Sequence, residues 1–154
     1  MIDIKYADES DLDSWMQLIR MVSWNFPGLE TEELLKEYEQ TVIKNIKRKS
    51  AICAKDGVAV VGILLFSVKY NMLCCMAVSP EYRNKGIATR MIEVMLEGLD
   101  KTREVTVTTF RENDEKGIAP RALYKKLGFV EDELVEEFGY PNQKFILLPR
   151  PIES

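Results

Sequence analysis

The 154-residue chain contains no histidine. That absence removes the commonest general base, the commonest metal ligand and every Ser-His or Cys-His dyad. A catalytic zinc site would need an unusual ligand set, so no metal is expected. Cysteine is scarce: Cys53, Cys74 and Cys75 are the only three. An odd count at this spacing matches no disulfide framework, and in apolar strand-like segments a free cysteine acts as a small hydrophobe. A basic surplus is also missing. The net charge is −4, which argues against nucleic acid as the partner, since proteins that track phosphate backbones are normally basic. The local group Lys44, Lys47, Arg48 and Lys49 reads as a solvated helix end, where cations suit the helix dipole. Long apolar runs are absent too. The longest, near Val58–Phe66 and Asn71–Val78, fall far short of a membrane span. The start Met1-Ile2-Asp3-Ile4-Lys5 has no signal-peptide character. A cytoplasmic location without a membrane partner is the expectation.

What is present is ordinary for one globular domain over residues 1–154: 46% apolar and 30% charged residues, with no repeat, low-complexity segment or linker. Ile2–Tyr6 alternates like a strand. Asp8 or Ser10 can cap a helix running to about Ser23, with Leu12, Trp15, Met16, Ile19 and Val22 at helical spacing. Trp24-Asn25-Phe26-Pro27-Gly28 breaks it. Thr31, followed by Glu32 and Glu33, opens a second helix whose apolar face is Leu34, Leu35, Tyr38, Val42 and Ile46. Strands follow at Ala51–Lys55, Val58–Val68 and Met72–Val78, with Asp56-Gly57 as a hairpin signal. A helix then runs to about Lys101, with Ile87, Met91, Met95 and Leu99 every four residues. Glu104–Phe110 reads as a strand and 111–117 as a polar loop. A short helix with Pro120 in its first turn ends at Gly128, a left-handed stop with Phe129 folding back. Val130–Phe138 and Lys144–Leu148 form a last hairpin around Gly139-Tyr140-Pro141-Asn142. The order β-α-α-β-β-β-α-β-α-β-β describes an α/β (α+β) fold: a mixed, largely antiparallel sheet flanked by helices.

Two stretches carry chemistry. In the first, a strand leads through Ser79-Pro80-Glu81-Tyr82 into Arg83-Asn84-Lys85-Gly86-Ile87-Ala88 and a helix. The first turn of a helix has N–H groups without partners and a positive dipole end. Gly86 and Ala88 leave the backbone of residues 84–89 open to a pyrophosphate. Arg83, Lys85 and Arg90 add positive charge, and the Thr89 hydroxyl can donate. Alone, the same pattern also describes a plain strand-to-helix connection. The second stretch, Ala122-Leu123-Tyr124-Lys125-Lys126-Leu127-Gly128-Phe129, is by pattern a short amphipathic helix in which Tyr124 suits a half-buried core position.

Taken together, in this order and at this spacing, Met72 to Phe129 resembles the GNAT superfamily of acyl-CoA-dependent N-acyltransferases. That family has an Arg/Gln-x-x-Gly-x-Gly/Ala turn after a strand, matched by Arg83 to Ala88, and later a Leu-Tyr-x-x-x-Gly-Phe helix, matched by Leu123 to Phe129. The resemblance implies acetyl-CoA as co-substrate, with its pyrophosphate on the backbone from Arg83 through Thr89. It implies that Met76, Ala77 and Val78 pair with pantetheine as if it were an added strand. A strand N–H nearby would polarise the thioester carbonyl. Tyr124 takes the place of the tyrosine that sits near sulfur and protonates the departing thiolate. A thiolate of pKa about 8–9 lies close enough to a phenol near 10 for that transfer. The sequence departs from the family at Gly117, where an asparagine is frequent; the nearest, Asn113, lies four residues earlier.

The expected reaction is direct attack of a primary amine on the thioester in a ternary complex. The acceptor is a small-molecule amine or a peptide or protein amine. An amine with a pKa near 10.4 must lose a proton first. Without histidine, the bases available are carboxylates or a water chain: Glu112 foremost, then Asp114 and Glu115. An acyl-cysteine on Cys74 or Cys75 is disfavoured, since nothing nearby lowers a thiol pKa. The acceptor pocket is expected between the Trp24–Glu30 loop and the last hairpin. There Trp24 and Phe26 would hold an apolar group, and Glu30, Glu32 and Glu33 would attract a cation. The same residues equally suit ordinary packing and helix-start acids. The resemblance is compatible with a homodimer. Two rivals stand beside this reading. One is a non-catalytic acyl-CoA-binding module. The other is a different nucleotide-binding protein, which the lack of G-x-G-x-x-G and of a Walker lysine motif disfavours.

Overall fold

The computed structural model describes residues 1–23 and 28–149. Seven strands form one sheet: β1 (Ile2–Tyr6), β2 (Ala51–Asp56), β3 (Ala59–Ser67), β4 (Met72–Val78), β5 (Val105–Phe110), β6 (Val130–Glu137) and β7 (Tyr140–Leu147). Their order in the sheet is β1-β2-β3-β4-β5-β7-β6. Every neighbouring pair is antiparallel except β4 and β5, which are parallel. The helices are α1 (Leu12–Val22), α2 (Glu32–Lys47), α3 (Ile87–Gly98) and α4 (Ile118–Lys126). The expected mixed, largely antiparallel sheet flanked by helices is the architecture found.

The continuous apolar run in β2 and β3 reflects burial on both faces of the sheet. On one face Ile52, Ala54, Leu64 and Phe66 pack with Met91 and Ile92 of α3 and with Tyr124 and Phe129. On the other, Cys53, Ile63 and Leu65 pack with Trp15 and Ile19 of α1 and Val42 of α2. The helix starts follow local side-chain chemistry. Asp8 accepts from the Ser10 N–H at 2.9 Å, and Asp11 accepts from the Asp8 N–H at 3.0 Å, closing a capping box around a 3-10 turn ahead of α1. Thr31 Oγ1 accepts from the Leu34 N–H at 3.1 Å and opens α2. Gly128, at φ +97°, ends the α4 segment, and the Phe129 N–H returns to the Tyr124 carbonyl at 2.9 Å.

Two boundaries differ from expectation. The last turn is not Gly139–Asn142 but Phe138-Gly139, both at positive φ (52° and 73°), a two-residue connection that matches strand twist. Tyr140 to Asn142 therefore belong to β7. Pro141 is tolerated there because β5 ends opposite Asn142, so its missing N–H costs no bond on that side. The helix expected to reach about Lys101 stops at Gly98, with Leu99 as an extended C-cap.

Two irregularities shape the site. β4 and β5 share a single ladder pair, Met72 with Thr106, and beyond it they diverge. The β3–β4 register shifts from Leu65–Cys75 to Phe66–Leu73, which leaves Cys74 as an extra, bulged residue on the open strand.

Candidate active site

The divergence of β4 and β5 opens a cleft of about 1350 Å³, larger than the roughly 300–1,000 Å³ usual for small-molecule pockets and so suited to an extended ligand. β4 forms one wall from Leu73 to Val78, and β5 forms the other from Val107 to Phe110. The α3 turn closes one mouth. Gly28 and Leu29 ahead of α2, α2 itself and the β6–β7 hairpin border the other. Beyond Met72, the β4 edge that faces β5 carries no ladder partner among the described residues. Its backbone groups are free to pair with an extended amide-bearing chain, as a sheet edge does in strand addition.

At the first mouth, Arg83, Asn84, Gly86, Ile87, Ala88 and Thr89 all line the cleft. Asn84 (φ +62°) and Gly86 (φ +76°) both adopt left-handed backbone, a curl that turns successive N–H groups toward one point. Gly86 holds this geometry without Cβ strain, and a Cβ built on it would meet nothing within 4 Å. The space over the helix start is therefore open. Lys85 is exposed on the same turn but outside the lining, and Arg90 donates to the Ile2 carbonyl at 3.3 Å. Arg83 and Lys126 are among the cationic residues that line the cleft.

Tyr124 sits deep in the cleft, only 4% exposed, on α4. Its ring packs on Phe129 and Phe145, with centroids 5.7 and 6.0 Å away. Its hydroxyl bonds to no side chain among the described residues, so the proton is available to a ligand. Burial raises its pKa well above the ordinary phenol value, with the Cys75 thiol adding to the effect. Met76 and Val78 are half-buried and Ala77 is buried along the β4 wall. The expected cofactor residues thus converge on one cleft, Lys85 excepted.

Gly117 explains the departure noted in the sequence. It is buried, and a Cβ there would stand 3.1 Å from the Arg111 carbonyl oxygen, Arg121 Cδ and Phe110 Cβ. The space an asparagine needs is filled by Arg121. Its guanidinium donates to the Phe110 carbonyl (3.1 Å) and Gln143 Oε1 (2.7 Å), and lies 3.3 Å from Glu131. Buried in this way, Arg121 ties α4 to β5 and β7. The sequence carried no evident signal for that role.

The acceptor side is only partly as expected. Trp24 and Phe26 lie outside the described residues. Glu30 is exposed, outside the lining, and accepts from the Gly28 N–H at 2.7 Å. Glu32 is ion-paired with Arg20 at 2.6 Å. The loop and hairpin do meet: a Cβ on Gly28 would be 3.2 Å from the Phe138 ring. Glu112 is exposed and absent from the lining. Asp114 binds the Tyr140 hydroxyl at 2.7 Å. The carboxylates that do line the cleft are Glu37 on α2, Glu115 in the turn before α4, and Glu137 at the hairpin. Sequence reasoning missed Glu37 and Glu137, because only the folded hairpin and helix bring them to the same cleft.

Both vicinal cysteines reach the cleft. Cys74 is exposed, and Cys75 is half-buried with its sulfur 3.7 Å from the Tyr38 hydroxyl. Tyr38 also accepts from Trp15 Nε1 at 3.2 Å. Burial pushes the Cys75 thiol up to about 11, despite the opposing Tyr38 hydrogen bond. Among the described residues no group of three or more His, Cys, Asp or Glu side chains gathers in a metal-binding arrangement. Among them, too, no helix is long and apolar enough to cross a membrane.

An open helix start, an unpaired strand edge and a buried phenol thus line one cleft. The family model described as "Acetyltransferase (GNAT) domain" matches residues 47–131, more than half of the chain. The chain belongs to the GNAT family of acetyl-CoA-dependent acetyltransferases. Solved structures share its fold. A GNAT-family acetyltransferase from Bacillus cereus superposes with a TM-score of 0.74 at 19% identity, over 98% of this chain and 99% of that one. The PaiA N-acetyltransferase from Thermoplasma acidophilum, in complex with coenzyme A, gives 0.63 at 18% identity, over 94% and 98%. A chain of the NatC complex bound to Gag peptide and CoA gives 0.71 at 18% identity, over 97% and 99%. No curated protein sequence matches significantly.

Proposed function

We propose that this protein transfers the acetyl group of acetyl-CoA to a primary amine of a cationic acceptor, by direct attack within a ternary complex. One observation carries the reading: a single cleft joins the Arg83–Thr89 turn, the unpaired edge of β4 and the Tyr124 hydroxyl to an acceptor mouth bordered by Glu37 and Glu137. The coenzyme A bound in two proteins of the same fold supports the choice of nucleotide.

The residues divide the work. The N–H groups from Arg83 to Thr89 hold the pyrophosphate at the positive end of α3. The free edge at Met76, Ala77 and Val78 pairs with the pantetheine amides, and a β4 N–H near the bulge polarises the thioester carbonyl. The amine nitrogen attacks the carbonyl carbon, its proton passes to a base, the C–S bond breaks, and Tyr124 donates to the departing sulfur. Burial makes a tyrosinate costly, but it also strengthens the thiolate as a base, as the rise of Cys75 to about 11 illustrates in the same cleft. Burial of the departing thiolate thus favours its protonation rather than opposing it. Glu112, expected as the base, is exposed and outside the cleft lining. Glu37 and Glu137 line the acceptor mouth, attract an ammonium group and are the carboxylates placed to take its proton directly or through water. Positioning supplies much of the rate.

A thiol-release screen with acetyl-CoA and an amine panel tests the reading. The panel spans polyamines, amino acids, lysine peptides and neutral aryl amines. Turnover is expected with multiply charged aliphatic amines above neutral ones. Coenzyme A binding with no turnover across the panel would instead favour an acyl-CoA-binding module.

A further inference from the structure

The closed end of the β4–β5 divergence is held by one side chain. Asn71 immediately precedes β4, is 1% exposed and adopts φ +54°. Its Nδ2 donates to the Asp100 and Glu104 carbonyls, both at 3.0 Å, and its Oδ1 accepts from the Asp100 N–H at 2.8 Å. Its own carbonyl accepts from the Thr106 N–H at 3.2 Å, beside the single Met72–Thr106 ladder pair. All these bonds cross from the β3–β4 turn to the segment that ends α3 and starts β5. A buried amide with its donors and acceptor satisfied in this way fixes one geometry. The left-handed backbone restricts the position to asparagine, aspartate or glycine with little strain.

We infer that Asn71 is a positioning residue that sets the width of the acetyl-CoA cleft from its far end. Seven steps of strand at about 3.3 Å place Val78 roughly 23 Å from Asn71, so a hinge error of about 2.5 degrees moves that wall by about 1 Å. A misplacement of about 1 Å is enough to cost on the order of 100-fold in a reaction that depends on positioning. The α3 helix, which starts at the phosphate turn, is tethered at its C-terminal side by the same amide. Both strand walls and the phosphate site therefore refer to Asn71, although Asn71 is absent from the cleft lining. The inference rests on acetyl-CoA occupying the cleft.

Calorimetric titration of coenzyme A into wild type, Asn71→Asp and Asn71→Gly tests it, at a temperature well below each unfolding midpoint. Aspartate and glycine both tolerate the left-handed backbone at this position. The first turns two donors into an acceptor facing two carbonyls, and the second removes the amide. Asp11→Asn, in the distant β1–β2 corner, serves as a control for general loss of stability. The expected result is a rise in the coenzyme A Kd of about tenfold or more for both Asn71 variants, and a change within about twofold for Asp11→Asn. Folded Asn71 variants with wild-type affinity would overturn the inference alone, whereas a wild type that fails to bind would overturn it together with the functional reading. Hydrogen exchange on unmodified protein covers the case of variants that do not fold. The Asp100 and Thr106 amides must exchange as slowly as core strand amides without ligand, and exchange at loop rates would overturn the inference.

Discussion

The Cys75 sulfur lies 3.7 Å from the Tyr38 hydroxyl, on the stretch of cleft that Tyr124 also faces. A thiol pushed up to about 11 by burial is almost entirely protonated near neutrality and is a poor nucleophile. Tyr124, with no side-chain partner among the described residues, is the group with a proton to give. Cys75→Ala is expected to keep kcat within about threefold, since the thiolate population it removes is negligible. Tyr124→Phe keeps the ring packing but is expected to lower kcat about 100-fold with little change in the KM for acetyl-CoA. Steady-state kinetics of the two variants checks this. The reverse pattern would point to an acyl-cysteine.

The three thiols should separate by accessibility. Cys53 is fully buried and pushed up to about 12 by burial first and by the neighbouring Asp11 second. Cys74 is the exposed one and lines the cleft. Maleimide labelling of the folded protein, read by peptide mass spectrometry, is expected at Cys74 first, with coenzyme A slowing it. Labelling of Cys53 ahead of Cys74 would contradict the sheet register.

Restoring the family's asparagine should harm this protein. In Gly117→Asn the new side chain meets Arg121, Phe110 and the Arg111 carbonyl at 3.1 Å. Overpacking of this kind costs about 1–3 kcal/mol. Denaturant melts should show the loss, and coenzyme A affinity should fall rather than rise. A variant as stable as wild type with tighter binding would show that Arg121 yields its space freely.

Acid stability should depend on Asp11. This carboxylate is 1% exposed and bonds Lys55 at 2.7 Å and Lys5 at 2.9 Å. Burial alone would raise its pKa, but the hydrogen bonds from Lys55, the Asp8 backbone and Lys5 outweigh that and hold it at about 2, against an ordinary 3.8. A depressed folded pKa contributes stability that is complete above about pH 4 and lost as pH falls toward 2. The contribution is about 2 kcal/mol. Urea melts from pH 6 down to pH 2 should show this slope in wild type and a flatter one in Asp11→Asn. Parallel slopes would remove Asp11 from the account.

Much of this was legible in the sequence, for identifiable reasons. Helical spacing located α1 to α4, since their buried residues are the ones at that period, such as Met91 and Met95. The Arg83 to Ala88 turn and Leu123 to Phe129 were readable because backbone access and a left-handed stop demand particular residues locally. What escaped depends on long-range placement. The Phe138-Gly139 turn was hidden by the stronger local signal of Pro141-Asn142, whose proline lies harmlessly just beyond the end of β5. Glu112 looked suitable from its place after β5, yet the chain's direction there leaves it outside the cleft. Glu37 and Glu137 stand 100 residues apart in sequence and share a site only through the fold. The Asn71 clamp was unreadable because its partners, Asp100 and Glu104, lie 29 and 33 residues further along the chain.

The most direct test of the cleft's assignment is a calorimetric titration of the wild-type protein with coenzyme A, run beside ATP and NAD. The account predicts one coenzyme A site per chain, whose binding ATP and NAD neither reproduce nor block at comparable concentration. Tight binding of ATP or NAD with none of coenzyme A would contradict it.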